Sequence, residues 1–362
     1  MIKRLDYVDI FRGIALLIMV TIQIFDFLSV SSIYTTPPYY VEMIHSVTWF
    51  PPSLLFTFVS GMSVFLLLRK RMSGSQPRSK LKVLKEIFKR YGKYILISLP
   101  FTIIMWNIFI YLRWEEAIQG IGLTAIFTAG FILMFYKILK KMRLSSYLFL
   151  FSIIILFAFL QSQMYYIVDS TIVGEIGPRQ PDLSSPFSVI WSVILNSLFR
   201  GWFSIFNLFP IMLGGVILIN LIMQGIDSKK LVFYSALYFI LTFVIHFLGL
   251  PINYYGRSFM LTHYAVSQSA LICSIALWFY NNFTDRITSS ILNFLKQIGY
   301  AAFFLYVSHY LLILKVLEIS GYKDLLPDLH AWILTIPLVG IMYILSKWYL
   351  KIRSKLPKVL QL

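Results

Sequence analysis

The chain has 362 residues, 59% hydrophobic and only 13% charged, with a formal net charge of +17. Apolar stretches of about 20 residues, enough to cross a hydrocarbon core about 30 Å thick, recur from end to end. Runs such as YLFLFSIIILFAFL lack the period-two alternation of an outer-membrane barrel, and the single cysteine, Cys273, excludes an intramolecular disulfide framework.

The expected fold is an all-α polytopic membrane protein, one domain over residues 1–362. About ten transmembrane helices are expected, near 8–30, 52–68, 94–112, 119–136, 145–167, 202–223, 231–250, 258–281, 298–318 and 331–346. The positive charge follows topology and implies no nucleic acid. With both termini in the cytoplasm, 25 of the 32 Lys and Arg residues fall in cytoplasmic segments. Five fall in outer segments (Arg113, Arg179, Arg200, Arg257, Lys323) and two in spans (Arg12, Lys315). This is the bias of basic residues toward cytoplasmic loops, and it places a multi-pass protein in the cytoplasmic membrane, among its lipids.

The start MIKR has the charge of a signal-peptide n-region, but Asp6, Asp9 and Arg12 interrupt the apolar stretch and no small-residue cleavage site follows; a retained first span is expected. Its segment DIFRGIALLIMVTIQIFD, residues 9–26, carries a polar stripe. At 100° per residue, with Arg12 at zero, Asp9 lies at about +60°, Gln23 at about +20° and Asp26 at about −40°. Arg12 and Gln23 are about 16 Å apart along the axis. An arginine at mid-span costs about 2.5–3.5 kcal/mol, less near an end. Two readings follow: Arg12 reaches headgroups with Asp9 paired to it at i, i+3, or the stripe faces a polar interior.

The outer loop at 31–51 is long and Pro-rich, and it carries His45 and Trp49 beside several tyrosines. Such aromatic residues form a belt at headgroup depth or stack on sugar rings. Imidazole is the side chain best suited to take a proton near neutral pH, which makes His45 a candidate base at the outer mouth. The basic cytoplasmic loop at 69–93 holds ten Lys and Arg against one Glu, and its second half has the spacing of an amphipathic helix. It reads as an orientation signal on anionic headgroups or as a funnel for a polyanionic cofactor. The second long outer segment, 168–201, ends in FSVIWSVILNSLFRGW, read as a helix lying in the outer interface. His246 and His263, in or near spans seven and eight, and His309, at mid-span in the ninth, are interior candidates that serve equally as hydrogen-bonding groups between helices. Lys315 and Glu318, at i, i+3, read as a local ion pair. No residue set suggests a metal site.

LDYVDIFRGIALLIMVTIQ, with Asp9, Arg12, Gly13 and Ala15, resembles the opening of the heparan-alpha-glucosaminide N-acetyltransferase family, within the wider superfamily of transmembrane acyltransferases. The resemblance recurs at FTFVSGMSVFL, LFPIMLGGVIL, PINYYGRSF and GYAAFFLYVSH, where Gly299, Tyr306 and His309 keep the family's spacing. The chain departs from that pattern in a shorter spacing from His45 to Gly61, with no acidic residue between them. It also has Gln23 where hydroxyl-modifying relatives place a histidine eleven residues after the arginine.

The resemblance implies transfer of an acetyl group from cytoplasmic acetyl-CoA, across the bilayer, to an amino or hydroxyl group of an extracytoplasmic sugar. On that reading Arg12, Asp9, Gln23 and Tyr306 would hold the CoA donor. His45 would act as base or carry the acetyl group, Asp26 would orient it, and His309 would polarise the thioester carbonyl. Trp49, Asn253, Arg257 and His263 would meet the acceptor. A homodimer is compatible with such a family. The competing class is a transporter or flippase of a small anionic or lipid-linked substrate, for which an arginine and carboxylates inside a bundle are equally natural.

Overall fold

The structure is a computed structural model that describes residues 5–29, 52–73, 77–105, 117–139, 143–170, 185–200, 203–248, 259–283, 286–323 and 325–355. Among these residues there is no strand, only one isolated bridge between Ser29 and Leu326. Nine of the described helices are long and apolar enough to cross a membrane, as in a multi-pass membrane protein. The expected span at 94–112 begins inside a longer helix, Lys80–Met105, and runs on past the described residues.

The chain divides into two compact units, one of residues 57–278 with 1–3, the other of residues 4–56 with 279–362. The first unit takes most of α2 (Pro52–Met72), then α3 (Lys80–Met105), α4 (Ala117–Met134), α5 (Leu144–Ser170), the short α6 (Pro186–Leu195), α7 (Ile205–Met223), α8 (Ser228–Phe247) and most of α9 (Phe259–Asn282). Its core forms where glycines let helix backbones touch, the small-residue packing that serves in place of a hydrophobic drive inside a bilayer. A Cβ on Gly61 of α2 would overlap the Met212 carbonyl oxygen of α7, and one on Gly215 of α7 would overlap that of Phe58 of α2. Phe127, Phe131, Phe157 and Phe209 interlock edge-on or tilted over the α4–α5–α7 seams, with centroids 4.7–6.5 Å apart.

Local chemistry sets the ends of these helices. Pro186 follows the Ser185 cap, whose hydroxyl accepts from Ser188 N–H at 3.1 Å and starts α6. Gly225, at φ +77°, closes α7 in a left-handed turn that a side chain would strain, and Asp227 then caps α8. The basic segment expected as a loop at 69–93 is largely helical, forming the end of α2 and the first half of α3. There Arg71 and Arg78 both pair with Glu86.

The second unit is built on α1 (Asp6–Leu28), whose first turn carries Asp6 and Asp9 where a helix favours negative charge. The amphipathic α10 (Arg286–Tyr300) runs antiparallel along it. Gly13 faces the Leu295 carbonyl and Gly299 faces the Asp9 carbonyl, each too closely for a Cβ. Lys296 Nζ meets Asp6 Oδ2 at 2.5 Å beside the same seam. Instead of one continuous ninth span from 298, the helix breaks at Ala301 (φ −100°, ψ 9°). It resumes as α11 (Ala302–Ser308), passes through a π-helical turn at His309–Leu314, and ends as α12 (Lys315–Ile319). α13 (Asp328–Ile352) packs on α1 through stacked Phe25 and Trp332, 4.5 Å apart. The backbone N–H groups of Leu325 and Leu326 both donate to the Leu28 carbonyl, tying the end of α1 to the start of α13.

Candidate functional site

Asp9, Arg12 and Gln23 of the α1 stripe meet protein groups. Asp9 is 1% exposed, and Arg12, with its side chain 25% exposed, donates from Nη1 to Asp9 Oδ1 at 2.7 Å, the expected i, i+3 pair. Gln23, three turns further along, meets the second half of the unit. Its amide reaches the Tyr310 hydroxyl at 2.6 Å through Nε2 and His309 Nε2 at 2.8 Å through Oε1. Stripe and mid-span histidine are therefore brought together by direct hydrogen bonds between side chains 286 and 287 residues apart.

His309 is fully buried, at 0% exposure, and it opens the π-helical turn. Such turns insert one extra residue into the helix and recur at functional sites. Here the turn starts at the residue that bonds across to α1, and its second residue, Tyr310, bonds the same amide. His309 Nδ1 lies 3.3 Å from the Leu305 carbonyl oxygen one turn back. Tyr306 is buried, with its ring 5.5 Å from that of His309 and 5.4 Å from that of Tyr310, walling the cluster with aromatic surface. Lys315 and Glu318 form the expected local ion pair at 2.6 Å.

The expected site residues fall into three groups. Asp9, Arg12, Gln23, Tyr306 and His309 share this unit, and Gln23 touches His309 directly. His263 belongs to the other unit. It is buried on α9, and its Nδ1 lies 2.7 Å from the Tyr238 hydroxyl of α8. The Phe259 ring packs 4.5 Å away, and among the described residues His263 Nε2, which is buried, has no hydrogen-bond partner. His45, Trp49, Asn253 and Arg257 lie outside the described residues, as does the side chain of Asp26. Tyr310 and Tyr238 escaped the sequence reading: each is one tyrosine among 23, and what singles it out is a partner on another helix. Among the described residues no group of three or more His, Cys, Asp or Glu side chains is placed to hold a metal ion.

No protein-family model matches the chain, and no curated protein matches it. The functional reading therefore rests on these residues and their chemistry.

Proposed function

We propose that this protein is a transmembrane acyltransferase, moving an acetyl group from cytoplasmic acetyl-CoA to an amino or hydroxyl group of an extracytoplasmic sugar or glycoconjugate. One observation carries the reading. The two stretches on which the resemblance to transmembrane acyltransferases is strongest, residues 5–23 and 299–309, are adjacent in space: Gly299 abuts the Asp9 carbonyl and Gln23 bonds His309. An intramembrane cluster of this kind is costly to bury and is characteristic of substrate paths.

A CoA donor needs a cation for its phosphates and polar groups for its pantetheine arm. A guanidinium carries five N–H groups in a planar fork suited to phosphate, and Arg12, a quarter exposed, has the chemistry to meet one while bonded to Asp9. When bound, the donor supplies the activated thioester. Gln23 and His309 would line the arm's course, His45 would take the acceptor's proton, and Trp49, Asn253 and Arg257 would hold the sugar.

The test is titration calorimetry of acetyl-CoA into the purified full-length protein, with desulfo-CoA and free acetate as controls. Saturable binding that weakens tenfold or more in Arg12→Gln supports the proposal. Absence of binding to any CoA thioester removes it.

A further inference from the structure

The hydrogen bonds around His309 bear on which ring nitrogen carries its proton. With Gln23 Oε1 toward the ring, both nitrogens face acceptor oxygens: Nε2 the amide oxygen at 2.8 Å, Nδ1 the Leu305 carbonyl at 3.3 Å. A neutral imidazole has a single N–H, so one lone pair would stand against an oxygen. An imidazolium would satisfy both, but it would put a full charge at a position with no exposed surface, beside an amide and a backbone carbonyl that are both neutral. That costs several kcal/mol.

A half-turn of the Gln23 amide removes the conflict. The oxygen and nitrogen of a primary amide have nearly the same shape, so the exchange changes no packing, and the hydrogen-bond network decides the sense. In the turned sense the Tyr310 hydroxyl donates to Gln23 Oε1, Gln23 Nε2 donates to His309 Nε2, and His309 Nδ1–H donates to the Leu305 carbonyl. Each of these donors then has an acceptor and no charge is buried, the arrangement expected of a buried polar network.

We infer that Tyr310 and Gln23 are positioning residues that hold His309 as its neutral Nδ1–H tautomer, with the Nε2 lone pair turned to α1 and capped by the Gln23 amide. Leu305, accepting from Nδ1–H, sets the sense of the network, and Tyr310, donating to Gln23 Oε1, supports it. His309 is then a hydrogen-bond acceptor, which removes the role of polarising a thioester carbonyl. On the acyltransferase reading, and resting on it, the group that displaces Gln23 from Nε2 is an amide N–H of the pantetheine arm, chemically the same donor as the carboxamide it replaces.

The experiment is nitrogen-15 NMR of the full-length protein labelled at histidine, in lipid. His309 is assigned by the signal lost in His309→Gln. Independently, it is assigned in a variant whose other four histidines are replaced, which serves if His309→Gln does not fold. The expected native spectrum has one protonated nitrogen, Nδ1, and one lone-pair nitrogen, Nε2. Gln23→Glu, which offers Nε2 only acceptor oxygens, is expected to convert His309 to the doubly protonated ring. Tyr310→Phe is expected to raise the Nε2–H form from undetectable to a measurable share. A native His309 that is Nε2–H or doubly protonated overturns the inference, and an unchanged tautomer in Tyr310→Phe overturns the part given to Tyr310. Added acetyl-CoA is expected to shift the Nε2 signal. If the tautomer is as stated but acetyl-CoA neither binds nor shifts it, the acyltransferase reading fails and the hydrogen-bond assignment stands.

Discussion

Replacing Gly299 by alanine perturbs the close seam between α1 and α10. The added Cβ would overlap the Asp9 carbonyl oxygen, with the carbonyl carbon at 2.7 Å and Gly13 N at 3.1 Å. All three atoms are backbone, so no side chain can swing aside. Restoring ordinary contact requires α1 and α10 to part by roughly an ångström or more. Overpacking of this sort costs about 1–3 kcal/mol, and a backbone obstacle puts the expectation at the upper end, about 3 kcal/mol. That is a loss of about two orders of magnitude in the folded-to-unfolded ratio. Gly130→Ala on α4 is the matched control. Among the described residues no atom beyond its own helical turn lies within 4 Å of its added Cβ, and relief of a helical glycine is expected to stabilise by about 0.5–1 kcal/mol. The assay is reversible unfolding of both variants in mixed micelles, read by circular dichroism. If Gly299→Ala unfolds at the native midpoint, or moves with Gly130→Ala, the close approach of the two helices is wrong.

Two further outcomes are expected. Tyr238→Phe strips His263 Nδ1 of its hydrogen-bond partner, while Nε2 has none among the described residues; it should cost about 1–3 kcal/mol in the same unfolding assay, whereas Tyr238→Phe/His263→Phe, which removes both polar partners, should recover most of that. A double variant no more stable than Tyr238→Phe alone would refute the pairing. Lys296 is held above its ordinary value of 10.5, chiefly by its hydrogen bond to Asp6. A raised pKa gives stability that is fully present below the unfolded value and is lost as pH climbs through the folded one. Native protein should therefore lose a small increment, under about 1 kcal/mol for so exposed a pair, as pH rises above 10.5, and Lys296→Met should lack it. Equal alkaline slopes for the two proteins would contradict the ion pair.

Hydropathy alone places the long helices, because each must hide its backbone from lipid along some twenty residues. The polar face of α1 is also legible, since four side chains at helical spacing define a direction whatever they meet. What they meet is not. The partners of Gln23 lie 286 and 287 positions away, and no local pattern points to Tyr310 over its neighbours. The break at Ala301 and the π-helical turn at His309 are equally silent: both interrupt an apolar run that reads as one span. The glycines are an intermediate case. Gly13, Gly61, Gly215 and Gly299 stand in the stretches on which the proposed likeness to the acyltransferases rests, and the structure gives a physical reason for their type: each lies against another helix's carbonyl. Such a requirement belongs to packing, so these residues weigh less toward function than Gln23 and His309 do.

The Asp9–Arg12 pair allows folding and donor binding to be separated. Asp9 is almost wholly buried while Arg12 keeps a quarter of its side chain exposed, so the two are unequal. Removing Arg12 takes the guanidinium from a carboxylate that cannot reach water; removing the carboxylate leaves a cation that still can. Breaking a pair from the side that leaves the more buried charge is the costlier break, so Arg12→Ala should lose more stability than Asp9→Asn. Asp9→Asn keeps an acceptor oxygen for Arg12 and should cost about 1 kcal/mol. The double variant Asp9→Asn/Arg12→Gln, with no charge at either position, should recover most of the stability lost in Arg12→Ala. If Arg12 serves only the fold, acetyl-CoA affinity follows stability and returns in the double variant. If Arg12 meets a phosphate, the double variant is folded and still binds at least tenfold more weakly than native protein. Equal unfolding midpoints for Arg12→Ala and Asp9→Asn would show that Asp9 is not the buried partner, and the polar stripe would lose its N-terminal end.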